Sequence, residues 1–218
     1  MTLLFVDTET TGIDRIKDSI IQISGIIMNE TEEETFDFRM APYKSNDMDA
    51  GAEEKTGYTN EMIRTWPDQA YEFTKFINIL DKYINRYDWN SRAFIVGWNV
   101  GFDTDFIRGW FNFNNNNNFG RYFYSPNLDL MSYVGFHMAQ NRKELKNFKL
   151  ETVYEALMNR PMEGAHNAMS DIIATKQIFD KTCSYLVGFK EFIRPIEIKK
   201  KRRLIKNDID DIPPWEDR

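Results

Sequence analysis

Thr2-Leu3-Leu4-Phe5-Val6-Asp7-Thr8-Glu9-Thr10-Thr11-Gly12 opens the chain with an apolar, β-branched run that closes on two carboxylates and a glycine. Residues 2–6 read as a strand. Asp7 and Glu9 follow at its end, and because alternate strand residues share a face, both carboxylates project together. Carboxylates so spaced can hold a hard divalent cation such as Mg²⁺, and Gly12 lets the backbone turn closely round a ligand. Taken alone, an Asp-x-Glu pair is common on solvated strand ends and identifies nothing.

Working outward, residues 20–28 and 34–40 alternate like strands, with turn-rich breaks between them. Residues 47–57 read as a short helix closed by Gly57, and residues 59–66 as a second, stopped by Pro67. Asp68 caps a longer helix, whose Phe73, Phe76, Ile77, Leu80, Tyr83 and Ile84 recur at helical spacing. A buried strand over 93–98 leads into a helix over 101–111. The asparagine-rich stretch 112–118 reads as an exposed loop. A last strand, 128–130, precedes helices near 131–140, 150–158 and 168–186. An antiparallel start followed by crossovers that demand parallel pairing predicts a three-layer α/β domain.

Composition bounds the function. The 218 residues suit one catalytic domain and an appendage, divided at 1–188 and 189–218. No run approaches the roughly 18 apolar residues of a membrane-spanning helix, so no membrane partner is expected. The first seven residues lack a secretory pattern, which predicts a cytoplasmic protein. Cys183, the single cysteine, forbids an internal disulfide and reads as an inert core thiol. A net charge of −6 argues against coating nucleic acid by bulk electrostatics. It does fit a nuclease whose concentrated carboxylates carry divalent metal, because the metal supplies the charge that phosphate sees.

Two more clusters lie at element ends. Gly97-Trp98-Asn99-Val100-Gly101-Phe102-Asp103-Thr104-Asp105-Phe106-Ile107 runs from a strand into a helix, with Asp103 in the first turn and Asp105 facing elsewhere. Gly164-Ala165-His166-Asn167-Ala168-Met169-Ser170-Asp171 enters the last long helix, with Asp171 five positions after His166. His137, the other histidine, sits in an apolar stretch and reads as an ordinary helix residue.

The ordered set Asp7-x-Glu9, Asp103, His166-x4-Asp171 is far more specific than any member. It resembles the DEDDh-type (DnaQ-like) 3′-to-5′ exonucleases, which include polymerase proofreading epsilon subunits and the exonuclease domain of exonuclease I. The likeness runs from about residue 3 to about residue 182 and includes Phe148-Lys149-Leu150-Glu151 before the third motif. The resemblance implies a ribonuclease H-like fold with a mixed five-stranded sheet. It also implies two Mg²⁺ ions, with Mn²⁺ as a substitute, held by Asp7, Glu9 and Asp171 and completed by Asp103, with His166 as general base. Two metals roughly 3.5 to 4 Å apart can activate water and neutralise an increasingly anionic phosphate, and a neutral imidazole can take the water's proton. For the substrate, the resemblance implies that Thr10, Thr11 and Gly12 approach the 3′ end through backbone groups. Ile13 would wedge against its base, Phe106 would add an apolar contact, and Asn99 joins the substrate-binding positions.

Two departures from the family pattern stand out. Thr56-Gly57-Tyr58-Thr59 replaces a common His-Gly-Ile-Thr element, which puts a nucleotide contact at Tyr58 in question, and Ile172 stands where many relatives have alanine. The tail holds eight basic and two acidic residues over 187–206, then five acidic and one basic over 207–218. Its Asp208-Ile209-Asp210-Asp211-Ile212-Pro213-Pro214-Trp215 is similar to the acidic tips of bacterial single-stranded-DNA-binding proteins, which implies a replication or repair partner. The expected function is metal-dependent 3′-to-5′ hydrolysis of DNA to nucleoside 5′-monophosphates. Trimming of RNA and a non-catalytic docking role stay open alternatives.

Overall fold

The opening strand is longer than its apolar run. In the computed structural model, which describes residues 1–44, 47–164 and 168–183, β1 spans Thr2–Thr10 and carries Asp7 and Glu9 within it. The strand continues past Val6 because β2 (Ile20–Met28) supplies backbone partners as far as Thr10, with an irregularity in register between Glu9 and Thr10. β3 (Glu33–Arg39) pairs antiparallel with β2, while β4 (Ala93–Gly97) and β5 (Leu128–Asp129) add in parallel beyond β1. The order β3-β2-β1-β4-β5 is a mixed five-stranded sheet with β1 at its centre.

Helices cover both faces. α3 (Gln69–Tyr83) and α4 (Gly101–Phe113) bury Phe73, Phe76, Leu80, Ile107, Trp110 and Phe111 against Leu4, Val6, Ile23 and Ile27. On the opposite face α8 (Ala168–Thr182) sets Ile172 and Phe179, with Cys183 beyond, against Leu3, Phe5, Ile26 and Val96. The free Cys183 thiol is buried. Asp68 accepts from the Ala70 amide and starts α3 as a cap. Gly25 is needed for packing: a Cβ there would lie 2.4 Å from the Phe36 ring and 2.8 Å from the Phe5 carbonyl oxygen.

Four smaller helices complete the count among the described residues: α1 (Ala50–Thr56), α2 (Asn60–Ile63), α5 (Phe119–Tyr122) and α6 (Leu130–His137) join α7 (Leu150–Met158) and the three above. A 3₁₀ segment, Ala139–Glu144, takes over where a continuous helix to 140 is expected. The asparagine stretch is more ordered than its composition predicts. α4 runs on to Phe113, whose ring packs 4.7 Å from Tyr43, and the Asn114 amide donates to Gln69 Oε1 and to the Trp110 carbonyl, both at 2.9 Å. Asparagine serves such a turn because its side chain bonds locally and tolerates positive φ, as Asn115 does at 54°. No helix among the described residues is long and apolar enough to cross a membrane. The tail 189–218 and the end of the expected last helix, 184–186, lie outside the described residues.

Candidate active site

Along one face of β1 the side chains run Leu3, Phe5, Asp7, Glu9: apolar where α8 covers the sheet, acidic just beyond. α8 is docked there by Ile172, 1% exposed, and by Phe179, whose ring meets Phe5 edge-on at 5.3 Å. Ile172 packs among Leu3, Phe5, Ile26 and Val96, and the residue before it, Asp171, is near enough to Asp7 to act on its charge. Asp103 reaches in from α4. Its Oδ1 accepts from the Thr8 amide at 2.9 Å and from the Thr8 hydroxyl at 2.7 Å, which fixes a carboxylate only 5% exposed. Asp103 lies in the first turn of α4, and its hydrogen bonds to Thr8 tie the helix start to β1.

The electrostatics show these groups assembled. Burial, then the carboxylates of Asp103, Glu9 and Asp171, hold the Asp7 carboxyl well above the ordinary carboxylate range, with Lys55 opposing. Burial also pushes Asp103 up to about 6, against the Thr8 hydrogen bonds and Lys55, which lower it. Among the described residues no three carboxylate, imidazole or thiolate groups close on one point as a finished cage. The donor set nevertheless fits a hard divalent cation: all four groups are carboxylates, and their mutual repulsion is what a bound cation would relieve. Asp105 faces elsewhere, ion-paired with Arg15 on the surface. His137 stands exposed on α6 against Tyr133 and Phe136. His166 lies outside the described residues.

A cleft of ≈ 300 Å³ beside Glu9 is lined by Thr10, Gly12, Ile13, Lys55 and Phe102 among others. A second hollow of ≈ 370 Å³ lies against Ile13, Ile16, Phe102 and Phe106. Ile13 is 85% exposed and, with Phe102, belongs to the walls of both. Phe106 is 1% exposed and backs the Phe102 ring at 4.8 Å, so Phe102 is the ring more open to a ligand. Thr10 and Thr11 are buried: the Thr10 hydroxyl donates to the Gly12 carbonyl at 2.6 Å, and the Thr11 hydroxyl donates to Asp18 at 3.2 Å. Gly12 packs so closely that a Cβ would sit 2.5 Å from both Asp18 and Asp49 carboxylate oxygens. Asn99 takes φ 60° in the β4–α4 turn, exposed, with its amide donating to Asp129 at 3.0 Å.

Tyr58 is committed to the scaffold. Its hydroxyl donates to Gln22 Oε1 at 2.9 Å, and Gln22 pairs across the sheet with Glu9. Three residues absent from the sequence-based set emerge here: Thr8, which holds Asp103; Phe102; and Lys55, whose Nζ lies 3.3 Å from Glu9 Oε2. Thr8 and Phe102 sit inside the quoted motifs, but nothing in the sequence links Lys55 to a carboxylate 46 positions away.

Comparison with known proteins gives the family and the fold. Residues 4–179 match the RNase_T exonuclease family. A PolC-type DNA polymerase III of Thermotoga maritima is 26% identical over 211 residues, covering 96% of this chain and 13% of that protein. Escherichia coli exonuclease I in complex with a dT13 oligonucleotide superposes with a TM-score of 0.67 at 23% identity, over 88% of this chain and 43% of that one. A zinc-bound complex of the same enzyme with single-stranded DNA gives 0.67 at 22%, over 86% and 42%. The shared architecture is the ribonuclease H-like fold. This chain spans about an eighth of the polymerase and less than half of exonuclease I.

Proposed function

The chain belongs to the RNase_T exonuclease family, and on that premise we propose that it is a divalent-metal-dependent exonuclease removing nucleoside 5′-monophosphates from the 3′ ends of DNA, single-stranded or frayed. The observation that carries this reading is the acidic cluster at β1: Asp7 is buried with Asp103, Glu9 and Asp171 as charged neighbours, and burial first and those carboxylates second raise its carboxyl above the usual range. Asp7, Glu9 and Asp171 would hold two Mg²⁺ ions, with Mn²⁺ able to replace them, and Asp103 completes the set. When bound, the metals supply water activation and neutralisation of phosphate charge. His166 takes the attacking water's proton.

Ile13 and Phe102 form the apolar ridge on which the terminal base rests, backed by Phe106, while Thr10, Thr11, Gly12 and Asn99 frame the sugar and phosphate. Phe102→Ala is expected to raise KM for single-stranded DNA by about tenfold, the order of one lost base–aromatic stack, with kcat changed much less. Steady-state kinetics on an oligonucleotide measure both. Residues 1–188 form the catalytic domain and 189–218 a tail for a replication or repair partner, in a cytoplasmic protein. The DNA complexes of exonuclease I and the polymerase relative support DNA over RNA.

The test is turnover of matched 5′-labelled single-stranded DNA, duplex DNA with a 3′ mismatch, and RNA, each with Mg²⁺, Mn²⁺ or chelator. A metal-dependent ladder shortening from the 3′ end, faster on DNA, is expected. RNA preferred over DNA would replace the substrate assignment, and no cleavage of any substrate would return the chain to a docking role.

A further inference from the structure

Lys55 places a cation of the protein's own inside the acidic cluster. Its Nζ lies 3.3 Å from Glu9 Oε2, and the Glu9 side chain is 7% exposed where that of Lys55 is 57% exposed. A buried carboxylate is thus gripped by an ammonium reaching in from solvent. The lysine comes from the last turn of α1, a helix with no buried residue, which is followed by Gly57 in a left-handed conformation at φ 69°. The Asp49 amide at the other end donates to the Thr11 carbonyl at 2.7 Å and holds α1 over the cleft. The same cleft is walled by Ile13 and Phe102.

An ammonium and a divalent cation held at one carboxylate compete for it, because both draw on the same negative charge and they repel each other at that distance. We infer that Lys55 competes with the divalent cation for Glu9: it offsets part of the cluster's negative charge in the metal-free protein and must leave Glu9 before the ion is held there. The inference rests on the reading of the cluster as a metal site. Displacement is mechanically easy, since the flexible four-carbon stem needs no change in the core and α1 buries no side chain. Metal binding is therefore weaker than the four carboxylates alone would give, and the acidic site does not collapse apart without its ion.

The test is Mn²⁺ binding to the full chain without nucleic acid, followed by the electron paramagnetic resonance signal of free Mn²⁺. Lys55→Met is expected to tighten binding by about three- to tenfold, the range of a partly exposed ion pair acting on a buried partner, while Lys55→Arg stays near the unaltered protein. In a Glu9→Gln background the Lys55→Met effect is expected to vanish. Unchanged or weaker binding in Lys55→Met would overturn the inference, as would tightening that persists without Glu9. If Asp7→Asn leaves Mn²⁺ binding intact in the parent protein, the metal-site reading falls and this inference with it. Loss of binding in Asp7→Asn combined with no response to Lys55→Met would remove the inference alone.

Discussion

Asp7→Asn is expected to lower kcat for DNA hydrolysis by about 10³-fold or more, several kcal/mol of transition-state stabilisation, while leaving the metal-free protein folded and more heat-stable. The two halves share one cause. Asp7 sits on the central strand where burial, Asp103, Glu9 and Asp171 all disfavour its charge, so the position is maintained at a cost to stability. Asparagine keeps the shape and removes the repulsion. The sign follows from proton linkage. A carboxyl raised on folding binds its proton more tightly in the folded chain, so its stabilising effect is complete below the unfolded value and is lost as pH climbs through the folded one. For Asp103 that window runs from 3.8 to about 6, and Asp7 shifts in the same direction. At pH 7 without metal, Asp7→Asn is expected to raise Tm by about 2–4 °C, the equivalent of ~1 kcal/mol in a chain of this size. Mg²⁺ should raise the Tm of the unaltered protein and leave that of the variant nearly unmoved. Differential scanning calorimetry with and without metal measures both, and a destabilised variant retaining full turnover would contradict the assignment.

His166→Ala is expected to cost about 10²- to 10⁴-fold in kcat, the usual range for removal of a general base. Mn²⁺ binding should survive this change, in contrast to Asp7→Asn, because the imidazole is assigned to the proton and not to the ion. In the unaltered protein the rate should rise with pH as the general base loses its proton, and that dependence should flatten in the variant. Single-turnover rates over pH 5.5 to 8.5 on a saturating oligonucleotide would report it. Turnover within about twofold of the parent would take the base away from His166.

How much of this could be read from the chain depends on whether a signal is local. β2 has the bounds its alternation predicts, and α7 begins and ends where its periodicity does, because the apolar pattern lies within the element itself. The far end of β1 was hidden: Asp7, Thr8 and Glu9 break the apolar run, and their extended backbone is held by β2, which no local pattern reports. The asparagines after Phe111 misled for a related reason, since composition suggested an open loop while Gln69, 45 positions earlier, ties Asn114 down. Within the candidate site, Asp7, Glu9, Asp103 and Asp171 stood out as carboxylates in motifs at element ends. Thr8 and Phe102 lay inside those motifs but read as filler, and Phe106 is buried behind the ring that faces the cleft. Lys55 was illegible, because its ion pair with Glu9 exists only once α1 is laid across the strand.

The most direct measurement follows a single-stranded DNA labelled in its 3′-terminal nucleotide, with Mg²⁺, for the unaltered protein beside Asp7→Asn. The expected result is release of the label as a nucleoside 5′-monophosphate before any internal fragment appears, blocked by chelator and absent in the variant. Release from the 5′ end, internal cuts first, or turnover that persists in chelator would contradict a metal-dependent exonuclease acting from the 3′ end.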